Sequence, residues 1–504
     1  MALALKRLLL LGLPAALLAS PQPLTLEEFL AQYRRSDPED KRCALVARLG
    51  AGRDPAAADV LGPMLANEQS YPYLQCYIVM ALCDEGSPAS LQRALDGLRP
   101  SARRDPCIPL FTRRVLTSVR NPKGLSWMAT QAWKEPELRE DLAWALAQNL
   151  AWKDPAFFLD HLGPRREKEP RLRAAAASGL CRLDDPRTAE AVLQAALVEE
   201  EPGVLMRLLP AAGRLAPPRA LPLLERGIRH PDVRARLGAL EGLSWAASDK
   251  SVREPALALL VQALSSETGR LRADAARALE AQTGKTFGTD ASQWKAWLKG
   301  NGIPLPPGFQ EVQTHTPRHL GVEMPSRRIV FLVETSQEMI EDRTTRQPSD
   351  RLARVKKDLQ KRIEALPPDV SFDVVAYGQS VFRWKPEMTP ATKAAKDEAR
   401  AWVNRLAGSG LPDLGAGLQA AWDLGGAEPA DTVVLVAAGQ PVERGTLIQF
   451  SGPLHFSFSL SDWVALQQRY RSVVLHTVGV GTSANKQVLK DLAAAAGGTY
   501  RTID

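Results

Sequence analysis

The sequence predicts a multidomain protein, an all-α solenoid of stacked helical hairpins followed by an α/β domain built as a doubly wound parallel sheet. Two observations carry that expectation. Proline recurs at a nearly fixed interval through the amino-terminal part of the chain, and from Arg327 onward the hydrophobic pattern changes to short apolar runs alternating with helical stretches. Length agrees: 504 residues exceed what one hydrophobic core serves, since single cores stop growing near about 250–300 residues.

From the amino end, Lys6 and Arg7 precede an apolar run, Leu8 to Ala19, broken only by Gly12 and Pro14. A basic stretch before an apolar one too short to span a hydrocarbon core of about 30 Å has the form of a signal peptide. Residues 1–20 are read as one, which implies an extracytoplasmic chain, periplasmic or secreted. The small-x-small pattern at Ala19 or Ser20 is imperfect and Pro21 follows, so the cleavage position stays open. No cysteine follows the run closely, so no lipid anchor is expected, nor a transmembrane anchor once the leader is removed.

Charge names no partner. The net charge of +7 is small for this length, and acids interleave with bases, as in Arg351-Leu352-Ala353-Arg354-Val355-Lys356-Lys357-Asp358. Such a run reads as a solvated helix face, and no nucleic-acid partner is expected. The five cysteines, Cys43, Cys76, Cys83, Cys107 and Cys181, form no Cys-x-x-Cys and sit in apolar helical contexts. They are read as small buried hydrophobes, with a Cys76–Cys83 bridge left open.

One proline series runs Pro38, Pro72, Pro106, Pro136, Pro170, Pro202, Pro231, and a second lies half a period later at Pro55, Pro88, Pro122, Pro155, Pro186, Pro217. Proline is tolerated in the first helical turn, where its missing N–H costs nothing, so each one marks a helix start. Between prolines the chain reads as short amphipathic helices, such as Arg171–Leu180 and Val233–Leu240. Two helices per period, each apolar on one side, must stack on neighbours to bury themselves. Pro170-Arg171-Leu172-Arg173 and Pro231-Asp232-Val233-Arg234 resemble the Pro-x-Val-Arg helix opening of the HEAT-repeat family, and the resemblance covers residues 26–300. Gly284-Lys285-Thr286 is no phosphate loop, because Leu279 stands where the first glycine belongs and no strand precedes it. Trp294 and Trp297, three apart on one helix face, are expected to cap the last repeat, and the Pro- and Gly-rich residues 301–325 to form a linker.

In the second domain, residues 326–504, Ile329–Val333, Phe372–Tyr377, Thr432–Val436 and Val473–Gly481 read as strands, with helices near 350–365, 391–406, 413–424 and 485–496. The run Glu334-Thr335-Ser336-Gln337-Glu338, the stretch Gly408–Leu418, Leu435-Val436-Ala437-Ala438-Gly439 and the closing Gly497-Gly498-Thr499-Tyr500 resemble the von Willebrand factor type A family, a Rossmann-type fold. That resemblance implies a metal-ion-dependent adhesion site made by Asp-x-Ser-x-Ser, a threonine and a later Asp-Gly. Here the matching positions are Glu334, Ser336, Glu338, Pro412 and Ala438, with only the first serine kept, so the site reads as degenerate. Mg²⁺ demands near-octahedral oxygen ligands at about 2.0–2.1 Å, and Pro412 and Ala438 offer no side-chain oxygen. No metal or other cofactor is therefore expected, the alternative being a looser Ca²⁺ cluster of Glu334, Glu338 and Asp413. A competing use for Glu338 is a capping box with Thr335.

Residues 442–470 are longer than a strand-to-helix connection requires, and Leu454, Phe456, Phe458 and Leu460 alternate with polar residues there. The segment is read either as a partner-binding surface that includes Phe456, Phe458 and Trp463 or as an extra edge hairpin. The six histidines form no zinc motif, and no nucleophile elbow or nucleotide loop is present. The expected function is therefore non-enzymatic, with protein partners. The alternatives are a metal-dependent adhesion or sensor protein and an accessory subunit of an extracytoplasmic enzyme.

Overall fold

The computed structural model describes every residue except 1–21, 36, 68–71, 100–106, 268, 307–317, 320–321, 324–327, 342–345, 409, 425–429, 439–447, 450–456, 459–460, 462–463, 466–472, 482–483 and 504. The expected signal peptide thus lies outside the described residues. These divide into two compact units, one within residues 1–138, 149–152 and 449–457, the other within 139–148, 153–448 and 458–504.

The first unit is helical: α1 Leu26–Gln32, α2 Glu39–Gly52, α3 Ala57–Asn67, α4 Pro72–Glu85, α5 Pro88–Leu95, α6 Cys107–Leu116 and α7 Pro122–Thr130. Pro72, Pro88 and Pro122 each stand first in their helix, where a missing N–H costs nothing. Thr25 caps α1 in a reciprocal box, its hydroxyl accepting the Glu28 N–H at 3.2 Å while Glu28 accepts the Thr25 N–H at 2.8 Å. Leu49, Leu74, Ile78 and Leu82 are fully buried between α2 and α4. Cys43, Cys76 and Cys83 are buried and unbridged, and burial pushes the Cys43 thiol up to about 12. Cys76 and Cys83 sit on one helix, two turns or about 10 Å apart along its axis, so the bridge left open above does not form.

The second unit begins with more of the array: α8 Arg139–Gln148, α9 Ala156–Asp160, α10 Pro170–Leu183, α11 Ala189–Val198, α12 Pro202–Leu215, α13 Pro217–Gly227, α14 Val233–Ala246, α15 Arg253–Ser266, α16 Gly269–Thr283 and α17 Ala291–Gly300. Helices α8, α10, α12 and α14 pack in series. The approach of α12 to α14 depends on Gly213, whose missing Cβ would collide with the backbone of Gly242. The arginines of the two openings named above, Arg173 and Arg234, are buried and paired. Arg173 meets Glu199 through two hydrogen bonds of 2.7 and 2.9 Å, and Arg234 meets Asp232 at 2.9 Å. At the second opening the helix starts later than the proline predicts, because Asp232 is the cap and Val233 the first helical residue. Trp294 is fully buried and donates to the Gly288 carbonyl at 2.8 Å, with Trp297 edge-on to it at 6.1 Å.

Within the expected linker two short strands, β1 Arg318–His319 and β2 Val322–Glu323, pair antiparallel. The domain that follows contains β3 Arg328–Glu334, α18 Arg351–Glu364, β4 Ser371–Tyr377, β5 Val381–Arg383, β6 Thr389–Pro390, α19 Lys393–Arg405, α20 Leu414–Trp422, β7 Thr432–Ala437, β8 Ile448–Gln449, β9 Ser457–Phe458, β10 Val474–Val480, α21 Lys486–Ala495 and β11 Gly497–Ile503. The sheet runs β11-β10-β7-β3-β4-β5, with β6 also on β4. β11, β10, β7, β3 and β4 are parallel to their neighbours, while β5 and β6 run antiparallel to β4. Ile329, Phe331, Val333, Phe372 and Val374 form one buried face with Leu352, Val355, Leu359 and Ile363 of α18 and with Ala399 and Val403 of α19. α20 packs against β3 and β4, and α21 against β10 and β11. Continuous apolar strands are what a sheet covered on both faces requires.

Candidate functional site

Strand β3 lies between β4 and β7, so the chain leaves β3 to one side and returns on the other. At such a reversal, open α/β sheets present a crevice at the strands' carboxyl ends. Glu334, the last residue of β3, is 1% exposed there. Its carboxylate is occupied from three directions: Ser336 Oγ donates to Oε1 at 2.6 Å, the Ala438 N–H donates to Oε2 at 2.9 Å, and the Tyr377 hydroxyl donates to Oε2 at 3.3 Å. One side chain thereby ties together the ends of β3, β4 and β7. Burial pushes the Glu334 carboxyl up to about 7 against the pull of Ser336, and the charge of Glu338 pushes it the same way.

The other expected site residues fall around this knot. Ser336 Oγ also accepts the Glu338 N–H at 3.2 Å, which caps a single 3₁₀ turn, Gln337–Met339. The expected capping box from Thr335 to Glu338 is not formed. Thr335 instead turns its hydroxyl to the Tyr377 carbonyl at 3.2 Å, and Ser336 is the cap. Pro412 is buried in the loop before α20, and Asp413 accepts the Ala416 N–H at 2.9 Å as the cap of that helix. Ala438 contributes only backbone, its carbonyl accepting the Asn485 N–H at 3.0 Å beside α21. Among the described residues, no three His, Cys, Asp or Glu side chains gather where they could hold a metal ion.

Two participants were not read from the sequence. Tyr377 gives no sign beyond closing an apolar strand. Arg351, placed above on a solvated face, is buried, and its Nη1 donates to the Glu338 carbonyl at 3.0 Å. Its position four residues before Val355 and eight before Leu359, on the apolar stripe of α18, was the available sign. Phe456 and Trp463 lie outside the described residues, and Phe458 is described only as backbone in β9, which pairs with β8 apart from the main sheet. In the array, a groove of about 770 Å³ is lined by Leu197, Leu205, Leu209 and Leu223, and Leu197 and Val198 turn half their surface to solvent.

Residues 327–502 match the von Willebrand factor type A domain family, and residues 156–244 match the HEAT repeats. A stretch of 130 residues is 27% identical to inter-alpha-trypsin inhibitor heavy chain H1 of Mesocricetus auratus, covering 24% of this chain and 13% of that protein. Among solved structures, a von Willebrand factor type A protein from Catenulispora acidiphila is 19% identical over 36% of this chain and 40% of its own, with a TM-score of 0.29. The PilB minor pilin from Streptococcus sanguinis is 15% identical over 39% of this chain and 58% of its own, with a TM-score of 0.27. The chain carries HEAT repeats followed by a von Willebrand factor type A domain.

Proposed function

We propose that this chain is an exported, non-enzymatic scaffold for protein partners, and that its A-domain crevice is a closed hydrogen-bond knot rather than a metal centre. Both kinds of module commonly mediate protein–protein contact, and no residue cluster suited to bond-making chemistry was found in the sequence. The observation that carries the reading of the crevice is the Glu334 carboxylate, whose two oxygens accept three protein donors. The residues do not suit Mg²⁺: Ser336 donates its proton to Glu334, Asp413 caps α20, and Pro412 and Ala438 bring no side-chain oxygen. Export rests on the amino-terminal pattern, and sequencing the amino terminus of the mature protein from its native host tests it.

Thermal unfolding of the full chain in EDTA, Mg²⁺ and Ca²⁺ tests the crevice. A native-state ligand at about 100 times its Kd adds about 2.7 kcal/mol. The three curves are expected to coincide. Glu334→Ala strands three buried donors, at about 1–3 kcal/mol each, and is expected to destabilise by several kcal/mol in EDTA and Mg²⁺ alike. A saturable rise of Tm with either ion, abolished by Glu334→Ala, would overturn the reading.

A further inference from the structure

Two arginines join the last repeats to the A domain, at places well separated from each other in the sheet. Arg328 opens β3 at the amino end of the sheet, opposite to Glu334. It donates to Asp232 Oδ2 at 2.5 Å, and its Nε lies 3.8 Å from Asp431, the residue before β7. Asp232 is also the cap of α14, and its Oδ1 accepts the Arg234 N–H at 2.8 Å. Arg328, Asp232 and Asp431 expose 18%, 8% and 5% of their side chains, so this contact is largely removed from water. The second contact is at the sheet's edge. Arg270 of α16 donates from Nη1 to the Ala496 carbonyl, just before β11, at 3.0 Å, while its Nε is held by Asp274 at 3.0 Å. Gly497, at φ +63°, makes this approach possible, because a Cβ there would collide with the guanidinium. α16 also packs along β11, the edge strand of the sheet.

We propose that the terminal repeats α14–α16 hold the A domain as an internal ligand, gripped at the foot of the sheet by Arg328–Asp232 and at its edge by Arg270–Ala496, so that the two move as one rigid module. The intervening segment 301–325 then keeps the parts on one chain without setting their relative position. Two contacts at the amino border of the sheet, one on β3 and one on the edge strand β11 with β7 and β10 between them, oppose rotation, which a single contact does not. The carboxyl-end crevice is left out of the grip. This inference is independent of the identity of any partner and of the state of the Glu334 knot.

The test uses the full chain with a specific protease site introduced between residues 310 and 315, cleaved after folding. The two pieces are expected to co-elute on gel filtration at physiological salt. Removing one partner of a buried charge pair at an interface commonly weakens binding by roughly thirtyfold or more. Arg270→Ala with Arg328→Ala is therefore expected to separate the cleaved pieces, with far-UV circular dichroism of the uncleaved chain unchanged. Asp232→Asn, which keeps an acceptor for the α14 cap but discharges the foot contact, is expected to weaken association by a smaller factor. Gly497→Ala places a Cβ against the guanidinium and strains the backbone at φ +63°, and should weaken it without altering any charge. Separation of the cleaved wild-type pieces would overturn the proposal, as would unchanged co-elution of the double variant.

Discussion

At the scale of single residues, buried charges in this chain fall into two kinds. Arg173 and Glu199 satisfy each other, and Glu199 also accepts the N–H groups of Glu200 and Glu201. Removing one partner of such a pair leaves an uncompensated charge, so Arg173→Ala should cost about 3–5 kcal/mol in urea unfolding, while a surface control such as Arg187→Ala should leave the unfolding midpoint nearly unchanged. Asp373 and His476 are held neutral instead. Burial pushes the Asp373 carboxyl up to about 7, and its Oδ2 has no hydrogen-bond partner. Burial, with Arg270 nearby, brings His476 down to about 4. The two act in opposite directions. Native Asp373 keeps its proton above the unfolded value of 3.8, so its contribution is present at low pH and is lost as pH rises from 3.8 to about 7. His476 resists protonation, so its contribution is present above 6.5 and is lost as pH falls from 6.5 towards 4. Urea titrations should therefore show Asp373→Asn gaining on the wild type as pH rises through the first window, and His476→Asn gaining as pH falls through the second. The gain should be roughly 4 kcal/mol for Asp373→Asn and roughly 3 kcal/mol for His476→Asn, and a flat difference in either series would refute the assignment.

At the scale of elements, close helix packing in the array rests on absent side chains. A Cβ on Gly213 meets the backbone of Gly242 on the neighbouring helix, whereas one on Gly163 meets nothing within 4 Å. Gly213→Val should destabilise by about 3 kcal/mol through overpacking, and Gly163→Val by much less, as read from thermal unfolding. The starts of these helices were legible because proline acts locally: Pro170, Pro202 and Pro217 each stand first in their helix. Pro231 misleads by two residues because Asp232, with its carboxylate already engaged by Arg234 and Arg328, is the better cap. Strands β3 and β7 were legible as unbroken apolar runs, and β4 and β10 as apolar runs interrupted by Asp373 and by His476 and Thr477. The knot at their ends was only half legible. The departures at Pro412 and Ala438 were visible in the sequence, but nothing there shows that Tyr377 and a backbone N–H would fill the coordination left behind.

At the scale of the whole molecule, the order of modules was readable and the contacts between them were not. The Pro- and Gly-rich residues 301–325 were legible as a linker from composition alone. The Arg270–Ala496 contact spans 226 residues, and no local pattern announces a pairing at that distance. The same holds for Gly497, which as part of a family resemblance looked like a fold signature and in the structure also clears space for an arginine from another domain. Family resemblance and local periodicity reach as far as each module, and packing between modules depends on shape that only folding creates.

The span of that contact also bears on the order in which the chain can assemble. The ribosome adds about 5–20 residues per second, so 226 residues separate the emergence of Arg270 from that of its carbonyl partner by about 11–45 s. Helical hairpins close over short loops in a small fraction of that time, so the array is complete well before its last arginine has anything from the sheet to hold. Until then Asp274, one turn away on the same helix, is the neighbour that keeps the guanidinium placed. β11 is synthesised after β3, β4, β7 and β10, and its arrival adds the edge strand and the contact with α16 in a single late step.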